Sequence, residues 1–278
     1  MTGAPGSQAN IQRPYEPGEL ADDTQSLVAK LTQLASTERL LVALDFDGTL
    51  APEVDDPQRA RALPEARAAV LRLLDLPNTR VALISGRAMA SLEHVANVPD
   101  SVLLVGSHGV EFRLDSPDIH LNLDTVELEQ VEVLSEVLED VAAGLAHVWV
   151  ETKPAGFALH TRLATEKDSR IAHLQALSET QAEIAGLTVR EGKNVIEFSV
   201  RSATKGEALL HLKEYTKATA VLYAGDDVTD EDAFAVLRPR DFGLKSGPGK
   251  TIAEFRVHDP REVAGVLALL ADLRAARP

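Results

Sequence analysis

Leu40-Leu41-Val42-Ala43-Leu44-Asp45-Phe46-Asp47-Gly48-Thr49 decides the fold. Five apolar residues without a polar interruption suit a strand covered on both faces, as in a parallel sheet; a half-exposed strand would alternate. The run stops abruptly at Asp45, and Gly48 lets the backbone turn. The pattern recurs three times. Val81-Ala82-Leu83-Ile84 ends at Ser85, Val102-Leu103-Leu104-Val105 ends at Gly106, and Ala220-Val221-Leu222-Tyr223-Ala224 ends at Gly225-Asp226. Between the first two runs, Pro64 to Leu74 has helical spacing with proline at an early helical position. Strand, helix and strand in alternation predict a doubly wound α/β sheet.

The chain reads differently on either side of this pattern. Residues 1–20 are rich in Gly, Pro, Gln and Asn without apolar periodicity and are expected to form a disordered tail. A helix is expected to start near Asp22, with Leu27, Leu31 and Leu34 on one face. The middle holds two helical stretches, near Glu127–Gly144 and Glu166–Ala185. Around them are strand-like segments at Val148–Glu151, Phe157–Thr161, Thr188–Glu191 and Val195–Phe198. The expected division is a core of residues 21–112 and 202–278, interrupted by an α+β block at 113–201.

Composition narrows the function. Of 278 residues, 45% are apolar, a globular level, and 28 Lys and Arg against 43 Asp and Glu give −15. Such a balance argues against nucleic acid and acidic membranes as partners, because phosphate backbones require a basic footprint. A small anion can still bind where local cations or a metal converge. Without cysteine there are no disulfides, thiolate metal sites or cysteine nucleophiles. A cytoplasmic location fits that composition. No basic segment followed by an apolar core stands near residue 1, so no leader is expected. The longest apolar runs are too short to span a bilayer.

Open parallel sheets bind ligands beyond the C-terminal ends of their strands. Here those ends carry Asp45-Phe46-Asp47-Gly48-Thr49, Ser85-Gly86-Arg87 and Gly225-Asp226-Asp227-Val228-Thr229-Asp230. Carboxylates converging on one rim repel one another and raise each other's pKa values. A hard divalent cation relieves this, and oxygen-rich sites with room for water suit Mg²⁺. Asp45, first off its strand, can attack phosphorus and form an aspartyl-phosphate. Asp47 can protonate the leaving oxygen and later activate water. Ser85 can hydrogen-bond a phosphate oxygen, and Lys205, just before a helical run, can place a point charge on nucleophile and phosphate. Asp226 can bind the metal directly; Asp227 and Asp230 stand behind it, Asp230 one helical turn on, where it can hold a metal-bound water. Each motif alone could be an ordinary turn or helix cap. Their order, each after an apolar strand, argues for one site.

These residues resemble the four motifs of the haloacid dehalogenase superfamily of phosphatases. Gly106-Ser107-His108-Gly109-Val110-Glu111, Gly192-Lys193-Asn194-Val195-Ile196-Glu197 and Gly225 to Phe234 are similar to the trehalose-phosphatase family within it, and the likeness extends from about Leu40 to Leu269. Lys153-Pro154-Ala155-Gly156-Phe157 is a loose match to the cap of that family. The resemblance implies an α/β, doubly wound, Rossmann-like parallel-sheet core with an inserted α+β cap domain. It also implies Mg²⁺ held by Asp45, the backbone carbonyl of Asp47 and Asp226. The expected reaction is hydrolysis of trehalose 6-phosphate, a small-molecule substrate, by a monomer.

A disaccharide phosphate offers many hydroxyls and one dianion, to be read by polar and charged side chains. The candidates are Arg87, His108, Glu111, Lys153, Arg162, Lys193 and Glu197. Lys153 and Arg162 could equally be solvated surface charges. Lys193 and Glu197, four apart on a strand-like run, share a face. His160 reads as a satisfied sheet histidine, and Trp149 as cap core or a stacking platform. Two rivals stay open. One is a phosphatase for sucrose phosphate, mannosyl-glycerate phosphate or another sugar phosphate, or a phosphosugar mutase. The other is a non-catalytic module of this fold that partners a synthase.

Overall fold

The computed structural model describes residues 17–192 and 194–277, residues 17–23 by their backbone alone. Helix α1 (Pro17–Ala35) leads into β1 (Leu40–Leu44), α2 (Pro64–Leu74), β2 (Thr79–Ile84), α3 (Met89–Ala96) and β3 (Leu103–Gly106). Two short strands follow, β4 (Glu111–Arg113) and β5 (Ile119–Leu121). Next come α4 (Thr125–Ala143), β6 (Trp149–Lys153), β7 (Gly156–His160), α5 (Glu166–Glu183), β8 (Thr188–Gly192) and β9 (Val195–Ser199). The chain then runs through α6 (Lys205–Tyr215), β10 (Ala220–Gly225), α7 (Glu231–Ala235), β11 (Phe242–Ser246), β12 (Phe255–Val257) and α8 (Pro260–Ala275). No described helix is long and apolar enough to cross a bilayer.

Eight strands form one sheet in the order β12-β11-β10-β1-β2-β3-β4-β5. The six strands from β12 to β3 are parallel, and β4 and β5 are antiparallel additions at one edge. β1 shows why its sequence lacks alternation. Leu40, Val42 and Leu44 enter a core with α1, α2, α3 and α8, while Leu41 and Ala43 enter a second core with α6 and α7. Both faces are covered, so every position is buried. Each fully buried leucine contributes on the order of 1.5–3 kcal/mol relative to exposure.

A second sheet, in the order β6-β7-β9-β8, is wholly antiparallel. One face packs on α4 and α5 through Phe157, Leu159, Ile196 and Phe198. The other carries Glu151, Lys153, Arg190 and Glu197, and in β9 the alternation expected of a half-exposed strand returns.

Two boundaries differ from the sequence reading. The expected start of the inserted block, between residues 112 and 113, falls inside β4, and the larger sheet continues to Leu121. These three-residue strands have no apolar run to announce them; Phe112 alone reaches the core. The chain reverses before them through Ser107, His108 and Gly109, all at positive φ (49°, 59° and 122°). Helix α1 begins at Pro17, not near Asp22, and residues 1–16 of the expected tail lie outside the described residues.

Candidate functional site

β1 and β10 are sheet neighbours although far apart in sequence, and from this point the strand order runs outward both ways. Such a switch point leaves a crevice beyond the strand ends. Asp45 follows β1 there, its amide donating to the Ala224 carbonyl at 2.9 Å. Ser85 follows β2, its amide donating to the Val105 carbonyl at 2.9 Å. Asp226 follows β10. The loop after Asp45 is closed by amides of Leu50 and Ala51 on the Phe46 carbonyl and by Gly48 on Ala51, at 2.8–2.9 Å. Gly48 has φ +71°, and a Cβ there would lie 2.0 Å from Asp226 Oδ2. Gly48→Ala is therefore expected to cost roughly 1–3 kcal/mol of stability through backbone strain and to displace Asp226. Urea denaturation and phosphate release both read it, and an unaffected variant would disprove the close approach.

Lys205 is the first residue of α6, whose start is set by a capping box between Thr204 and Glu207. Its Nζ lies 2.9 Å from Asp45 Oδ1 and donates to Asp230 Oδ1 at 2.8 Å. Asp230 Oδ1 also accepts from the Tyr223 hydroxyl (2.6 Å), and Oδ2 from the amides of Asp226 and Asp227 (2.9 Å each). With four donors on a fully buried carboxylate, no lone pair is left for a metal-bound water. Asp230 instead anchors Lys205 and the loop carrying Asp226, which corrects the role expected of it. Asp227 is exposed and caps the turn that follows.

Burial pushes the Asp45 carboxyl well up; Lys205 opposes this, while Asp230 and Asp226 add to it. Burial also raises Asp226, against a hydrogen bond with Asp45. Burial alone would lower Lys205, but Asp45 and Asp230 outweigh it and the ammonium is held charged. A second buried lysine, Lys245 of β11, donates to the Asp226 carbonyl, and Ser246 Oγ donates to the Gly48 carbonyl at 2.8 Å. Sequence reading missed both, although a lysine inside Phe242-Gly243-Leu244-Lys245-Ser246 is the kind of buried charge that needs a partner.

Among the described residues, the carboxylates of Asp45, Asp226 and Asp230 lie within 4.8 Å of one another. Since Asp230 is saturated, Asp45 and Asp226 are the pair with capacity for a cation. Their upward-shifted carboxyls fit an oxygen-ligated divalent ion that would relieve the repulsion.

The expected substrate readers divide. His108, Lys153 and Glu197 line a cleft of about 290 Å³ between the two sheets, with Arg190, Ser107 and Arg201. Asp45, Asp47, Ser85, Arg87, Lys205, Asp226 and Asp227 line an adjoining cleft of about 410 Å³. Gly86 and His108 border both clefts, so the two communicate. A Cβ at Gly86 would come within 2.6 Å of the His108 ring. Burial, Lys205 and Arg190 hold the His108 imidazole below its usual pKa.

Three readers are placed otherwise. Glu111 is buried and accepts from the Met89 amide (2.8 Å) and Ser107 Oγ (2.7 Å), tying two strand-end loops together. Arg162 stands 5.3 Å from the centre of the Trp149 ring, outside both clefts. Arg87 is spent on Asp47. Lys193 lies outside the described residues. His160 stacks on Trp149 and bonds Glu151, as a satisfied sheet histidine should. Arg190 and Arg201 went unread. The pairing of β8 with β9 sets Arg190 opposite Glu197 and held the signal for the first.

Comparisons with known proteins agree with this geometry. Residues 43–265 match the model of the trehalose-phosphatase family. A bifunctional trehalose-6-phosphate synthase/phosphatase of Thermoproteus tenax is 34% identical over 247 residues, covering 87% of this chain and 33% of the relative. A trehalose-phosphate phosphatase of Mycobacterium ulcerans is 33% identical, covering 84% of this chain and 62% of the relative. The chain thus spans between a third and two thirds of the length of these two proteins. The solved structure of Aspergillus fumigatus trehalose-6-phosphate phosphatase superposes with a TM-score of 0.64 at 26% identity, covering 88% of this chain and 97% of that one. With the aspartates at the β1 and β10 ends, the lysine between them and the family match across most of its length, the chain belongs to the trehalose-phosphatase family.

Proposed function

We propose that the protein hydrolyses trehalose 6-phosphate to trehalose and phosphate through an aspartyl-phosphate, with Mg²⁺. The observation that carries this reading is the pair of joined clefts. One is lined by carboxylates and Lys205; the other is lined by polar side chains of a separate sheet. In the first step an oxygen of Asp45 attacks phosphorus while the bond to the sugar oxygen breaks, and Asp47 gives that oxygen its proton. In the second, Asp47 takes a proton from water as it attacks phosphorus, and the bond to Asp45 breaks, releasing phosphate. Lys205 steadies the Asp45 carboxylate and offsets charge on the phosphoryl group. Mg²⁺, held by Asp45, Asp226 and the main-chain carbonyl of Asp47, would supply positive charge against the phosphate oxygens. Ser85, at the cleft floor, would donate to a phosphate oxygen.

The test is phosphate release from trehalose 6-phosphate, sucrose 6-phosphate and glucose 6-phosphate, with Mg²⁺ and with EDTA. Turnover is expected with the first ester, to vanish in chelator and return with Mg²⁺. Ca²⁺ is expected to inhibit, because its larger, irregular shell favours bidentate carboxylates and would take the attacking oxygen of Asp45. Preference for another ester would overturn the substrate, and full activity in chelator would overturn the site.

Selectivity rests on the second cleft, where Glu197 faces Arg190 across the strands. Glu197→Ala is expected to lower turnover of trehalose 6-phosphate roughly 10- to 100-fold, the range for a hydrogen bond to a charged group. Hydrolysis of 4-nitrophenyl phosphate, too small to reach the cap, should barely change. Equal loss on both esters would assign Glu197 to the fold or the core chemistry.

A further inference from the structure

Arg87 was expected to read the substrate, yet it grips another side chain. Its Nε donates to Asp47 Oδ2 and its Nη2 to Asp47 Oδ1, both at 2.6 Å. Two parallel bonds from a planar guanidinium fix a carboxylate in position and in rotation, which a single contact cannot do. Among the described residues no other hydrogen bond reaches the Asp47 carboxylate, which is 36% exposed at the cleft rim. Without the fork its side chain would be free to change rotamer.

Arg87 is itself held from several directions. Its Nη1 donates to Ser91 Oγ at 3.2 Å. Its amide donates to Ser85 Oγ at 3.2 Å, and its carbonyl accepts from the Ser107 amide at 2.7 Å. Its side chain is only 12% exposed. The guanidinium is thus a rigid part of the β2-end loop, and Asp47 is aligned against the neighbouring strand end.

We infer that Arg87 is a positioning residue: it sets the Asp47 carboxylate for proton exchange with the leaving oxygen and is not primarily a phosphate or sugar reader. The inference rests on the assignment of Asp47 as acid and base in the proposed reaction. It has a chemical signature, because protonating the leaving oxygen matters for a poor leaving group, such as an alkoxide of a sugar, and hardly for a good one. A misaligned Asp47 therefore slows phosphoryl transfer from alkyl esters selectively, while hydrolysis of the aspartyl-phosphate, common to every ester, slows alike for all.

The test compares Arg87→Lys, which keeps the charge but loses the fork, with the unaltered protein. The esters are trehalose 6-phosphate, a simple alkyl phosphate and 2,4-dinitrophenyl phosphate. The expected result is a fall of about 100-fold in kcat/KM, which reports the first step alone, on the alkyl esters, and a change of a few-fold in kcat/KM on the dinitrophenyl ester. In the Asp47→Asn background, Arg87→Lys should add almost nothing, because there is no acid left to align. Ser91→Ala, which loosens only Nη1, should show the same selectivity in weaker form and guards against a folding defect in Arg87→Lys. A rise in KM on all esters with kcat preserved would make Arg87 a phosphate reader and overturn the inference. Equal loss of kcat/KM on all esters, or full additivity with Asp47→Asn, would overturn it as well. If unaltered protein cleaves the simple alkyl and aryl esters but not trehalose 6-phosphate, the proposed substrate fails while this comparison still stands.

Discussion

Asp45→Asn is expected to lose at least about four orders of magnitude in kcat, the scale of removing a nucleophile that acts with its neighbours as one unit. The amide keeps the shape and can still accept from Lys205, but attacks phosphorus poorly. Its effect on stability should run the other way. The Asp45 carboxyl is held above its unfolded value by burial. The folded protein therefore binds a proton that the unfolded chain releases, and this carboxyl's contribution to stability is full below about pH 4, the unfolded pKa. It is lost as pH rises through the higher folded pKa. In chelator at pH 7, Asp45→Asn should be as stable as the unaltered protein or more so, and its stability should decline less between pH 4 and 7. Urea denaturation across that range measures it. Near-normal turnover would refute Asp45 as nucleophile; strong destabilisation would refute the buried, unrelieved charge.

Lys205→Met is expected to fail in both respects. It removes the cation that touches Asp45 and Asp230 and leaves Asp226 beside them. Breaking a buried ion pair from one side typically costs about 3–5 kcal/mol, because a charge is left without a partner. Turnover should fall by about three orders of magnitude, comparable with losing a preorganised stabilising donor. Asp230→Asn combined with Lys205→Met should recover part of the stability, since the two are in direct contact, but none of the activity. Denaturation midpoints of the single and double variants decide this, and simple additivity would show that the contact carries no coupling.

The parallel core was legible because doubly covered strands leave unbroken apolar runs, and the four runs in the sequence are β1, β2, β3 and β10. β4, β5 and β12, at three residues each, were not. β11 was not either, because Lys245 interrupts it. At the site, Asp45, Ser85, Lys205 and Asp226 were legible from their places at strand ends or a helix start. What could not be read was which partner a charged side chain chooses. Arg87 and Glu111 stand where a ligand reader would, yet one is taken by Asp47 and the other by two loops. Those choices depend on distances between elements far apart in the chain, which spacing does not encode.

The two joined clefts also bear on how such a protein can change over time. The carboxylates and Lys205 come from one sheet and its helices, whereas Lys153, Arg190 and Glu197 come from another with its own core. Gly86 and His108 are the shared border. Under the proposed reaction, substitutions on the exposed face of the smaller sheet would alter which molecule is held without touching the groups assigned to breaking the ester. Inheritance of the proposed reaction and drift of its target would thereby be separated, and a lineage could try new phosphate esters while hydrolysis stayed intact. Gly86 is the seam where that freedom ends. Any side chain there meets the His108 ring, so a change disturbs both halves together.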